Sequence, residues 1–181
     1  MEEGYLRYIN QLDNSNYRRI VERYWMDVWN YAFFITKHYE WCDDIAQDVF
    51  FQAYKHLSTF RGQSTVKTWL LKITRNISFN YKKAAFFKKV TLIGLVAPNQ
   101  TSPSAEEQFF KNDLSDQIWE RVLHLKPVWR EVLILDAAYQ LSTKEIAQLL
   151  GIGEGAVKSR IHRARLKMSK MLKEEADYET E

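Results

Sequence analysis

Between residues 17 and 39 the apolar positions Ile20, Val21, Tyr24, Trp25, Val28, Tyr31, Ala32 and Ile35 recur every three or four places, the period of one buried helix face. A second run over 43–57 repeats the pattern with Ile45, Val49, Ala53 and Leu57, so two helices are predicted to pack on each other. After a break at 60–64 with Gly62 as its hinge, a third helix is predicted over about 65–83, burying Leu70, Ile73 and Ile77. Most aromatics of this half, Trp69 and Phe79 included, read as core. The pattern fails over 91–108, where Pro98, Asn99, Thr101, Ser102, Pro103 and Ser104 form a polar, proline-punctuated stretch. Helical spacing resumes over 109–125, and Pro127 suits the first turn of a helix continuing through 128–139. No alternating Val/Ile/Thr run flanked by hairpin turns occurs. The expected fold is all-α: two small helical domains, 1–90 and 109–181, joined by a flexible linker, 91–108.

Residues 141–168 carry the most specific pattern, that of a helix-turn-helix. Ser142 can cap a helix and Glu145, three residues on, completes a capping box, with Leu141 and Ile146 as the hydrophobic staple around it. Ala147 is small where two helices must cross, and Gly151 can adopt the left-handed conformation that ends the first helix. Val157, Ile161, Ala164 and Met168 then form one apolar stripe, which turns Lys158, Ser159, His162 and Arg163 outward. That face holds no acid between Lys158 and Met171, as a surface meeting a major groove requires.

The chain has 181 residues, 46% of them hydrophobic, enough to bury a core and to exclude disorder throughout. Cys42 is the single cysteine and the histidines are scattered, which leaves no disulfide framework and no metal cluster. No apolar run reaches the roughly 18 residues of a membrane span, and residues 1–8 lack the order of a signal peptide, so a cytoplasmic protein without membrane insertion is expected. The net charge of +3 conceals segregation. Nine acids face five bases over 1–48, none faces nine bases over 49–105, seven face four over 106–141, two face seven over 142–172, and five face one over 173–181. Two basic islands in an acidic chain suit a protein that touches a polyanion twice and another protein elsewhere.

In the first basic island the charges are interleaved with Phe60, Trp69, Phe79, Tyr81, Phe86 and Phe87. Aromatic faces stack only on bases that are already unstacked, which points to single-stranded or opened nucleic acid. The loop Phe60, Arg61, Gly62, Gln63, Ser64 is the best candidate for holding an extruded base.

The segments 43–50 (DDIAQDVF), Phe60-Arg61-Gly62, Thr68-Trp69-Leu70 and Arg75-Asn76, followed by the helix-turn-helix residues, stand in the order and spacing of one family. The chain closely resembles the extracytoplasmic-function sigma factors of bacteria over about residues 20–172. The resemblance implies a non-catalytic subunit, without cofactor, that binds core RNA polymerase and gives it promoter specificity. It places the polymerase contact on Asp44, Gln47, Asp48 and Phe51, whose acidity suits a basic partner. It gives the 60–64 loop and Asn76 the capture of a flipped minus-ten base, with Lys67, Lys72, Arg75, Lys82 and Lys83 holding the opened strand. It assigns Lys158, Ser159, His162 and Arg163 to the minus-thirty-five element of duplex promoter DNA, and Arg160 and Arg165 to phosphates. An anti-sigma factor is a further implied partner. Gly153 stands where the family often has a proline, so the second helix of the motif starts less rigidly.

Two other readings remain open on the residues alone. A stand-alone helix-turn-helix regulator binding duplex operators explains the C-terminal half and leaves the first half without a role. An enzyme acting on DNA would need clustered carboxylates or an activated nucleophile, and neither spacing is present, so no catalytic residue is assigned.

Overall fold

The computed structural model describes residues 14–57, 60, 62–92 and 114–178. Among them every regular element is helical: α1 (Asn14–Thr36), a 3-10 turn (Tyr39–Trp41), α2 (Cys42–His56), α3 (Val66–Leu92), α4 (Leu114–His124), α5 (Pro127–Ala137), α6 (Thr143–Leu150) and α7 (Glu154–Tyr178). None of these helices is long and apolar enough to cross a membrane. The chain divides into two compact units, Met1–Ala105 and Glu106–Glu181.

In the first unit, α1, α2 and α3 pack pairwise around one core. Tyr24, Val28, Tyr31, Ala32 and Ile35 of α1 meet Ile45, Val49 and Ala53 of α2, all buried, as the periodicity predicts. Tyr17 ties the pair further by donating to the Phe50 carbonyl at 2.7 Å. Lys37, in a left-handed conformation with φ 61°, closes α1 by donating its N–H to the Phe33 carbonyl.

α3 departs from expectation. It runs on to Leu92, so the predicted linker boundary at 91 lies within the helix, while the rest of the linker lies outside the described residues. Ile73 and Ile77 are only half-buried; the buried stripe is Val66, Leu70, Leu71, Thr74 and Ser78. Small side chains serve where α3 lies along α1, and Thr74 satisfies its hydroxyl by donating to the Leu70 carbonyl at 2.8 Å. Phe79, next to Ser78 and therefore rotated about 100° from it, is exposed rather than core.

The second unit is built around α7, which contacts α4, α5 and α6. Pro127 opens α5 at its first turn, and the N–H groups of Trp129 and Arg130 donate to the Lys126 carbonyl. Arg130 is buried and its guanidinium donates to the Leu123 carbonyl at 2.9 Å, tying the end of α4 to α5.

Candidate nucleic-acid interface

The helix-turn-helix forms through local chemistry. Ser142 accepts from the Glu145 N–H while the Glu145 carboxylate accepts from the Ser142 N–H at 2.9 Å, the reciprocal pairing of a capping box. Leu141 and Ile146 are buried beside it. Gly151 ends α6 at φ 68° and ψ 37°, and its N–H and that of Ile152 both reach the Ala147 carbonyl. α7 then starts at Glu154, where a negative charge favours the positive end of the helix. Val157, Ile161 and Ala164 point inward, Met168 is half-buried, and Lys158, Ser159, His162 and Arg163 are exposed together on the opposite side. Of the two arginines assigned to phosphates, Arg160 is half-buried at the edge of that face. Arg165 is exposed but donates to Asp136 of α5 at 2.7 Å.

The first unit presents two differently charged faces. Asp44, Gln47, Asp48 and Phe51 are exposed together on the outer side of α2, at helical spacing. Their neighbour Asp43 is held from inside: Trp29 donates its indole N–H to Asp43 at 2.9 Å. Asp48 accepts from the Tyr81 hydroxyl of α3 at 2.8 Å, a link that sequence spacing does not reveal. Burial and the Asp48 carboxylate push the Tyr81 phenol up to about 12, so it remains a donor at neutral pH. Phe51 carries the Lys55 ammonium 4.1 Å above its ring.

The basic side is α3 and the loop before it. Phe60 is half-buried, its ring centroid 4.9 Å from that of Trp69, which anchors the loop on the first turns of α3. Gly62, at φ 67°, and Gln63 are exposed, Ser64 is half-buried, and Arg61 lies outside the described residues. Thr65 caps α3 by accepting from the Thr68 N–H at 3.1 Å. Beyond it Lys72, Asn76 and Lys83 are exposed on α3, with Arg75 beside them over the Phe79 ring. Lys67 and Lys82 stand differently: Lys67 lies 3.8 Å from Asp27 and Lys82 donates to the Ile35 carbonyl at the end of α1. Both are half-buried and engaged with α1, because α3 packs along it.

Comparison with known proteins accounts for both units. Residues 20–85 match the family described as Sigma-70 region 2, and residues 115–168 match Sigma-70, region 4. The chain is 33% identical over 153 residues to the RNA polymerase sigma factor YlaC of Bacillus subtilis, covering 83% of this chain and 88% of that protein. It is 30% identical over 153 residues to the ECF RNA polymerase sigma factor SigM of the same organism, covering 82% and 90%. Among solved structures, the sigma factor RpoE of Bartonella quintana, in complex with the anti-sigma factor NepR, superposes with a TM-score of 0.71 at 23% identity, covering 87% of this chain and 97% of that one.

Proposed function

Because the chain belongs to the extracytoplasmic-function RNA polymerase sigma factors of the sigma-70 family, and thus directs promoter-specific transcription initiation, we propose how its described residues divide that work. Core RNA polymerase docks on the outer face of α2 through Asp44, Gln47, Asp48 and Phe51, with Tyr81 fixing the Asp48 carboxylate. An acidic face of this kind steers a basic partner surface.

The loop at 60–64 and Asn76 capture an unpaired minus-ten base, while Lys72, Arg75 and Lys83 hold the opened strand. Lys67 and Lys82 act at longer range, through the field of an acid-free segment, since their ammonium groups already face α1. On α7, Lys158, Ser159, His162 and Arg163 read the minus-thirty-five element and Arg160 contacts phosphate. Arg165 joins it by exchanging Asp136 for a phosphate oxygen, an exchange of one charge-assisted hydrogen bond for another. Two modest contacts joined in one chain gain selectivity through effective concentration, so the free protein binds promoters weakly. The division of domains follows: residues 1–90 for polymerase and the minus-ten element, 91–108 as linker, 109–181 for the minus-thirty-five element. No residue performs covalent chemistry; the protein is not an enzyme and works in the cytoplasm beside polymerase. An anti-sigma factor is a further partner and holds the chain inactive; a protein of the same fold, RpoE, is seen in complex with the anti-sigma factor NepR.

The observation that carries this reading is the pairing in one chain of an acid-free basic helix in the first unit with a basic, outward helix-turn-helix face in the second. Run-off transcription with core polymerase on a promoter library tests it. Addition of the chain yields starts at sites sharing two spaced elements, and Asp44→Lys with Asp48→Lys abolishes them. Tight, salt-sensitive binding to a palindromic duplex without polymerase, and no redirected starts, would establish the stand-alone regulator instead.

A further inference from the structure

Among the described residues Ala164 is the last fully buried one of α7, yet the helix continues to Tyr178, about 21 Å further at about 1.5 Å per residue. Between this overhanging end, α4 and α5 runs a groove of about 540 Å³ whose walls include Ile118, Trp119, Val122, Met168, Ser169 and Leu172. Ile118 of α4 and Leu172 of α7 are 47% and 44% exposed, so the groove is open and apolar on both sides. Its charged residues are Arg165 and Lys173, and among the described residues no acid lines it. Arg165 already donates to Asp136 at 2.7 Å, so covering that side strands no guanidinium.

A suitable occupant brings an apolar ridge for Ile118 and Leu172 and, within a turn or two of it, negative charge for Lys173. The end of α7 is itself such an object. Residues 165–173 hold four bases and no acid, residues 174–181 hold five acids and no base, and Leu172 stands at the junction. A helix end divided in this way is complementary to a reversed copy of itself, and a two-fold axis supplies the reversal. With the axis level with Leu172, position 170 of one copy lies level with position 174 of the other, and 167 with 177, basic block beside acidic block. Packed helices lie about 8–10 Å apart, comparable with the Debye length of about 8 Å in physiological salt, so the blocks attract without needing individual ion pairs. Pairing in the same direction would set like charges side by side.

We propose that the groove between α4 and the end of α7 is a seam between two copies of this chain, each seating its α7 end against α4 of the other in antiparallel order. Two helices from each copy then enclose Ile118 and Leu172, the apolar residues that one copy leaves in water. The shared stretch begins at Arg165, past Lys158, Ser159, His162 and Arg163, so pairing and DNA reading use different parts of one helix. The seam is only about four turns long and belongs with interfaces under about 1,200 Å², which form and part readily. A Kd on the order of 10 µM is expected, and the dimer fraction rises with concentration by mass action.

Sedimentation equilibrium of the full chain, from well below to well above that concentration, tests the seam. Wild type passes from monomer to dimer, and high salt weakens the pairing. Ile118→Lys with Leu172→Lys stays monomeric; both positions are exposed, so the fold is kept, which helix content by circular dichroism checks. Lys167→Glu/Lys170→Glu/Lys173→Glu makes the helix end wholly acidic, and Glu174→Lys/Glu175→Lys/Asp177→Lys makes it wholly basic. Each of these pairs with itself at least about tenfold more weakly than wild type, whereas the two mixed in equal amounts form a mixed dimer, read by native mass spectrometry. A wild-type chain that is monomeric throughout overturns the seam. So does pairing that survives Ile118→Lys with Leu172→Lys, and so do charge variants that self-pair like wild type or fail to pair when mixed. A monomeric wild type whose Ile118→Lys/Leu172→Lys variant no longer assembles with core polymerase gives the groove to another protein and overturns the seam as well.

Discussion

Replacing Gly151 by alanine isolates the backbone contribution to the helix-turn-helix. Its φ of 68° and ψ of 37° lie in the left-handed region, yet a Cβ built there meets nothing within 4 Å. The penalty is therefore conformational and not steric: about 1–2 kcal/mol for an L-residue in that region, less a few tenths for the reduced freedom of the unfolded chain. The net expectation is about 1 kcal/mol, with the N–H bonds of residues 151 and 152 to the Ala147 carbonyl retained. Asparagine, bulkier than alanine but more tolerant of this conformation, should cost roughly half as much. Hydrogen exchange of the amides in α6 and the first turns of α7, in the full chain, reads this locally. Exchange should accelerate about fivefold for Gly151→Ala and about twofold for Gly151→Asn. An asparagine variant more damaged than the alanine variant would mean that a clash governs the turn, and two neutral variants would mean that the left-handed cap contributes nothing; either refutes the reasoning.

Three further outcomes follow from the same geometry. Ser142→Ala removes one arm of the capping box and should cost α6 about 1 kcal/mol by the same exchange measurement, whereas Ser142→Asp should hold near wild type. Arg130→Met strips the buried donor from the Leu123 carbonyl and should lower the stability of the second unit by about 1–3 kcal/mol in urea, followed by Trp119 and Trp129 fluorescence with the other tryptophans replaced. The Cys42 thiol is fully buried, and burial first, then the charges of Asp43 and Glu40, push it from 9.0 up to about 12. Iodoacetamide at pH 8 should leave it unmodified in the native chain and alkylate it in urea. Because the folded value is raised, its contribution to stability is complete below about pH 9 and is lost as pH climbs from 9 toward 12, a decline that Cys42→Ala should remove.

The helix-turn-helix was legible almost residue by residue, because its determinants act within one or two turns. Ser142 reaches Glu145, Gly151 needs only its own φ, and the stripe from Val157 to Ala164 sorts itself by helical period. The acidic face of α2 was legible for the same reason. α3 was not. Periodicity tells which residues share a face, and the ordinary preference for burying large apolar groups then selects Ile73, Ile77 and Phe79. α1 lies along Thr74 and Ser78 instead, which turns the isoleucines to the margin and Phe79 into solvent. That Phe79, Phe86 and Phe87 are exposed became known only when the opposite side of α3 was seen to be covered.

The amino-acid order by itself determined the helical class, the two basic segments and the acidic face, the cap and turn of the DNA-reading motif, and the family to which they point. These rest on short-range hydrogen bonds and on the count of charge along the chain. Tertiary packing alone decided that Lys67 faces Asp27, that Lys82 donates to the Ile35 carbonyl, that Arg165 is held by Asp136 and that Tyr81 orients Asp48. Each of those contacts joins residues 29 to 47 positions apart and reaches from one helix to a neighbour whose facing side no local rule specifies. Which cations stay exposed and which are engaged inside the fold is set there, by the way one helix lies against the next.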